Sequence, residues 1–200
     1  MVAPLLPGHG TVAGDLLHYG ASDWLGAVVN AALSVSDHQR VHLAGLSLGG
    51  LLALLAAGPT NAASITTVSA PLAYRRRSIY LAPLIHPMRP FTPWPPSPPL
   101  EDAETSALFL TYSGFPTKRS ADLLVVSRHA RRAARRLRRP ALVVQSLMDE
   151  SVRPSSATTL AKLLGPNTQT LWLTHSRHNA LLDGERALIH DALLARLQSA

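Results

Sequence analysis

Short apolar runs and helical periodicities alternate along this chain. Five runs read as strands: VAPLL (2–6), VHLAG (41–45), ITTVS (65–69), ALVVQ (141–145) and TLWL (170–173). Each is short and rich in aliphatic or β-branched residues. Between the first two, a helical pattern from about Ser22 sets Trp24, Val28 and Ala32 beside Leu25, Val29 and Leu33 on one face. Residues 48–57 are apolar almost throughout and predict a buried helix. Pro154 suits a helical first turn and Gly165-Pro166 a helix end, which bounds a helix through Ala157 and Leu164. Asp183 is placed to cap a last helix whose Ile189, Leu193 and Leu197 face inward. Strands alternating with helices predict an α/β fold, a mostly parallel sheet with helices on both faces.

The rhythm breaks between about Leu72 and Lys118, where LAPLIHPMRPFTPWPPSPPLEDAE is too proline-rich for regular helix or central strand. This reads as an insertion. Over the C-terminal edge of a parallel sheet it would form a small cap above the ligand crevice, a flexible surface loop being the plainer alternative. The expected organisation is therefore 1–70, the N-terminal part of the core; 71–120, the cap; and 121–200, the C-terminal part of the same core.

Composition narrows the picture. A chain of 200 residues, 46% hydrophobic, suits one folded domain. With no cysteine, disulfides, cysteine metal sites and thiol nucleophiles are excluded. MVAPLLPGHG lacks the charged start and apolar run of a signal peptide, and the apolar stretch 41–57 is too short to span a bilayer, so a soluble, cytoplasmic protein is expected. The formal charge of +7 is concentrated in RHARRAARRLRRP. There Ala130, Ala133, Ala134 and Leu137 recur at helical spacing and leave the arginines on the opposite, solvated face. No aromatic residues interleave with them to stack bases, so no nucleic-acid partner is expected. The nine histidines show no H-E-x-x-H spacing, and neither metal nor organic cofactor is expected. Oligomeric state is not legible at this level.

The strongest chemical signal is AGLSLGG. Gly45, Ser47 and Gly49 form G-x-S-x-G directly after a strand and before a helix. A serine on so sharp a turn needs small neighbours, and its hydroxyl is exposed at the helix N-terminus, where the Leu48 N–H can face a developing oxyanion. A serine hydroxyl also needs a base, and the base an orienting acid. Asp149 follows ALVVQS by a short loop and His178 follows TLWL by another, so both strand ends point to the edge that carries Ser47. Glu150, next to Asp149, and His175, three residues before His178, are the local alternatives.

These residues resemble the carboxylesterase and monoacylglycerol-lipase branch of the α/β hydrolases, particularly compact bacterial carboxylesterases with a small cap. The likeness rests on PLLPGHG, SDWLGAVV, VHLAGLSLGG, ITTVSAPL, PALVVQSLMDESVRP and HSRHNALLD, in family order over nearly the whole chain. It implies Ser47, Asp149 and His178 as the triad and the proline-rich insertion as a cap.

In that family the first oxyanion donor comes from a His-Gly turn after an earlier strand. PGHG is too close to the nucleophile strand, with room for only one helix between them, and corresponds instead to the loop after the fourth strand. The expectation is an N-terminally incomplete chain, lacking the first three strands, the first helix and the oxyanion turn. Without the third strand, which lies between the fourth and fifth, two buried strand edges would lack partners. Leu48 would then be the one visible oxyanion donor.

The expected activity is carboxylic ester hydrolysis through an acyl-enzyme on a small-molecule ester or lipid. Leu81, Leu84, Ile85, Phe91 and Trp94 of the cap would receive a short to medium acyl chain. The alternatives are a monoacylglycerol lipase, a thioesterase, and a truncated scaffold that binds a ligand or partner with little or no turnover.

Overall fold

A computed structural model describes residues 1–36, 40–93, 100, 105 and 111–199. Four of the expected strands form one parallel sheet: β1 (His42–Leu46), β2 (Ser64–Val68), β5 (Ala141–Ser146) and β6 (Thr168–Leu173), in the order β1-β2-β5-β6. All three pairings are parallel, with Leu46 opposite Val68, Val68 opposite Val144 and Ser146 opposite Leu173. The strands therefore end together, and the loops that follow them share one edge.

Each strand is covered because its side chains alternate between the two faces. Along β5, Ala141 and Val143 join a core containing Leu51 and Leu52 of helix α2 (Leu48–Ala56), Ala130 and Ala134 of α4 (Thr117–Ala134), and Leu160 and Leu164 of α5 (Ser155–Leu164). Leu142 and Val144 face a second core with Leu173, Ala180 and Ile189, the last on helix α6 (Arg186–Ser199). All six residues of β5 are buried, as a strand between two helical layers requires. Helix α1 (Ala21–Ser36) packs on α2 through Trp24, with Leu25 and Val28 beside it.

The expected helix faces hold at Trp24 and Ala32 of α1 and at Ile189 of α6, whereas Leu33 and Leu197 are exposed. Asp183 does not sit at the cap of α6. It lies three residues before Arg186, and its carboxylate accepts the Arg177 N–H at 2.6 Å. VAPLL is not a strand. Residues 2–6 join no ladder, Val2 and Leu5 are exposed, and Pro4 lacks the N–H that a ladder would use. Apolar content alone predicted that strand, and among the described residues no strand pairs with it.

The helix α4 behaves as its periodicity predicts: Ala130 and Ala134 are fully buried, while Arg128, Arg131 and Arg132 are exposed. The segment before it holds a 3-10 turn (Arg77–Leu81), the short helix α3 (Ala82–Ile85), and an antiparallel pair of β3 (Phe91–Pro93) and β4 (Gly114–Pro116). Trp94 and most of the proline run lie outside the described residues. Among the described residues no helix is long and apolar enough to cross a membrane.

Candidate active site

Ser47 stands between β1 and α2 with φ 52° and ψ −116°. A non-glycine residue in that left-handed region carries about 1–3 kcal/mol of strain, which its surroundings must hold. They do so through the Ser47 N–H, which donates to Val68 O at 2.8 Å, and through Ser47 O, which accepts from Gly50 at 3.0 Å. A Cβ on Gly45 would lie 2.2 Å from the Gly49 carbonyl carbon, so the elbow closes only with glycine there. Gly49, expected to be needed for the same reason, has open space around it. The second tight position is Gly50, whose Cβ would meet Ala70 and the Gly45 carbonyl at 3.0 Å. Leu48 opens α2, so its N–H belongs to the first-turn groups without an intrahelical acceptor, beside the serine hydroxyl.

Asp149, three residues beyond β5, is fully buried. Its Oδ1 accepts the N–H groups of Ser151 at 2.9 Å and Val152 at 2.7 Å, and Gln145 Nε2 donates to Oδ2 at 3.0 Å. Burial alone would raise this carboxyl. The bond and charge of His178 and the two backbone donors outweigh it and hold the group below the ordinary aspartate range. Arg75 secures the loop from outside, donating through Nε to Asp149 O and through Nη2 to Leu147 O at 3.0 Å.

His178 bridges the two. Its Nδ1 lies 3.0 Å from Asp149 Oδ2 and its Nε2 lies 3.0 Å from Ser47 Oγ. The local alternatives go elsewhere. Glu150 Oε2 accepts the backbone N–H of His178 at 3.1 Å rather than its ring, and His175 is exposed. Glu150 was thus read only as a rival for Asp149, whereas it holds the backbone of the histidine.

Ser47 and His178 open into a cavity of about 920 Å³. Its apolar wall comes from the core side and from the segment between β2 and α4: Leu16, Trp24, Ile79, Ile85, Phe115 and Leu123. Of the apolar residues expected to receive an acyl chain, Ile85 lines the cavity. Leu84 is exposed, because the short α3 turns one face inward and leaves the rest outward; Leu81 of the 3-10 turn and Phe91 of β3 are exposed as well, and Trp94 falls outside the described residues. His9, Gly10 and Thr11 of the PGHG turn also line the cavity, fixed there by Trp24, whose Nε1 donates to Pro7 O at 3.0 Å.

A serine on a strained strand-to-helix turn at the carboxyl edge of a parallel sheet, with a carboxylate and a histidine on the loops after two later strands, is the architecture of an α/β hydrolase. The family model described as the alpha/beta hydrolase family matches residues 1–198, and the chain belongs to that family. A carboxylesterase of Bacillus subtilis (strain 168) is 25% identical over 191 residues, covering 94% of this chain and 76% of that protein. Among solved structures, one reported for LipS and LipT, two metagenome-derived lipolytic enzymes, superposes with a TM-score of 0.88 at 27% identity, covering 98% of this chain and 80% of that one. The monoacylglycerol lipase of Paleococcus ferrophilus has a TM-score of 0.76 at 17% identity over 90% of this chain and 76% of its own, a likeness of fold.

Proposed function

We propose that this protein is a carboxylic ester hydrolase that works through an acyl-enzyme on Ser47, with His178 as general base and Asp149 as its orienting acid. The observation that carries this reading is the continuous chain of contacts from Ser47 Oγ through the His178 ring to the Asp149 carboxylate, each about 3.0 Å. The similar carboxylesterase and lipolytic enzymes support the same reaction class.

In the proposed reaction Ser47 Oγ bonds to the ester carbonyl carbon as its proton passes to His178 Nε2. The Leu48 N–H faces the oxygen on which negative charge develops. Collapse breaks the bond to the alcohol oxygen, which takes the proton back from Nε2, and water then repeats the two steps on the acyl-enzyme. Asp149, accepting from Nδ1, fixes the tautomer that leaves Nε2 free to act as base and stabilises the imidazolium. The segment 71–120 acts as the cap, since described residues of it such as Ile79, Ile85 and Phe115 wall the cavity into which Ser47 opens, and the apolar lining suits the acyl part of a small ester or lipid.

The test is hydrolysis of p-nitrophenyl butyrate, monoacylglycerols and acyl thioesters, with a fluorophosphonate probe alongside. Wild type should turn over oxygen esters and label at Ser47, and Ser47→Ala should do neither. Labelling no better than Ser47→Ala would identify a binding scaffold without turnover.

A further inference from the structure

The loop that carries His178 has an unusual backbone. From Thr174 to His178, five consecutive N–H groups donate to carboxylates and none of these bonds belongs to a helix or strand. Glu185 Oε1 takes Thr174 at 2.9 Å, and Oε2 takes His175 at 2.9 Å and Ser176 at 2.7 Å. Asp183 takes Arg177 at 2.6 Å, and Glu150 takes His178 at 3.1 Å. Hydroxyls reinforce the Glu185 end: Ser176 Oγ donates to Oε2 at 2.9 Å and accepts the Glu185 N–H at 3.2 Å. The carbonyl of Ser176 accepts from Ser146 Oγ, which in turn accepts the Met148 N–H at 3.0 Å. The histidine loop is thereby tied to the loop that bears Asp149.

We propose that Glu185 is a positioning residue: its carboxylate sets the path of residues 174–176 and, through them, the placement of the His178 ring between Ser47 and Asp149. The proposal rests on the catalytic reading above. A histidine on an irregular loop has no helix or strand to aim it, and both of its ring contacts sit at 3.0 Å, so a shift of about 1 Å would forfeit proton transfer and cost about a hundredfold in rate. Glu185 suits this role because it stays charged. Burial raises its carboxyl, but the donors from Thr174, Ser176 and His175 override that and lower it to about 2, so it remains ionised across any working pH.

Glu185→Gln is nearly isosteric, but sets an amide N–H₂ against N–H donors. Against p-nitrophenyl butyrate its kcat should fall about a hundredfold, with KM within about twofold. A second readout needs no turnover. The proton bridging His178 Nδ1 and Asp149 gives an NMR resonance far downfield of the amides, identified by its absence in His178→Ala, and Glu185→Gln should broaden or abolish it. Ile189→Ala, which removes a fully buried side chain from the same region, serves as the stability control and should keep both kcat and the resonance. An unchanged kcat and resonance in Glu185→Gln would overturn the proposal, as would an equal kcat loss in Ile189→Ala. If Glu185→Gln does not fold, Ser176→Ala removes one donor and is read the same way, with no change in either quantity again counting against. If wild type hydrolyses no ester, the catalytic reading fails, and the resonance comparison alone decides the role of Glu185.

Discussion

The Asp149 carboxylate accepts from two backbone N–H groups and Gln145 while facing the His178 ring, and the residue itself is fully buried. Its charge is therefore satisfied before any reaction begins, and its role depends on acceptor character. Asp149→Asn would turn an N–H₂ toward Nδ1 or impose the other imidazole tautomer. We expect kcat for p-nitrophenyl butyrate to fall about ten-thousandfold with the fold retained, measured by steady-state kinetics beside circular dichroism. Glu185 adds an acid dependence of stability. Its carboxyl is lowered from 4.5 to about 2, so the folded state is favoured above the ordinary value and loses that contribution as pH falls through about 2. Between pH 4.5 and 2, the Tm of Glu185→Gln should therefore fall less steeply than that of wild type; parallel Tm curves over that range would count against the ionised clamp.

At the scale of elements, the elbow depends on how closely α2 crosses the end of β1. The atom that a Gly45 side chain would strike is backbone of Gly49, which no rotamer change can relieve. Gly45→Ala should lose about 3 kcal/mol, the upper range for overpacking. Gly49→Ala meets nothing and should stay within about 1 kcal/mol of wild type, since alanine favours a helix. Urea denaturation of the two variants separates the positions. The G-x-S-x-G pattern was legible because a strand, a sharp turn and a helix each leave local marks in sequence. It did not reveal that Gly50, outside the pattern, carries the second close approach, because the Ala70 that meets it arrives from another strand end.

For the whole molecule, the parallel sheet gathers chemistry at one edge and leaves the arginine-rich end of α4 at the opposite end of that helix. Thr117, Arg119 and Ser120 line the cavity, while Arg131 and Arg135 lie more than two turns further on, exposed. Surface substitutions remote from buried networks usually change stability by no more than about 0.5 kcal/mol. Arg131→Gln with Arg135→Gln should leave kcat/KM for p-nitrophenyl butyrate within about twofold and Tm nearly unchanged. A large loss of activity would mean that this face communicates with the site.

Sequence by itself determined the order of the four sheet strands and of the helices packed on them, the position of the Ser47 turn and the arginine face, but not the short elements between residues 77 and 116. Those features follow from short-range causes: a two- or 3.6-residue period, a turn that tolerates only glycine, a proline that stops a helix. Where such local content lacked a partner, as in VAPLL, it misled. Only the tertiary structure decided which carboxylate and which histidine meet, because Ser47 and His178 are 131 residues apart and each side chain's direction depends on its loop. The same holds for the cavity wall and for the three carboxylates that receive the N–H groups of 174–178. Their residues carry no pattern in common, and what joins them is the demand of an irregular backbone for acceptors, which exists only once the chain has folded.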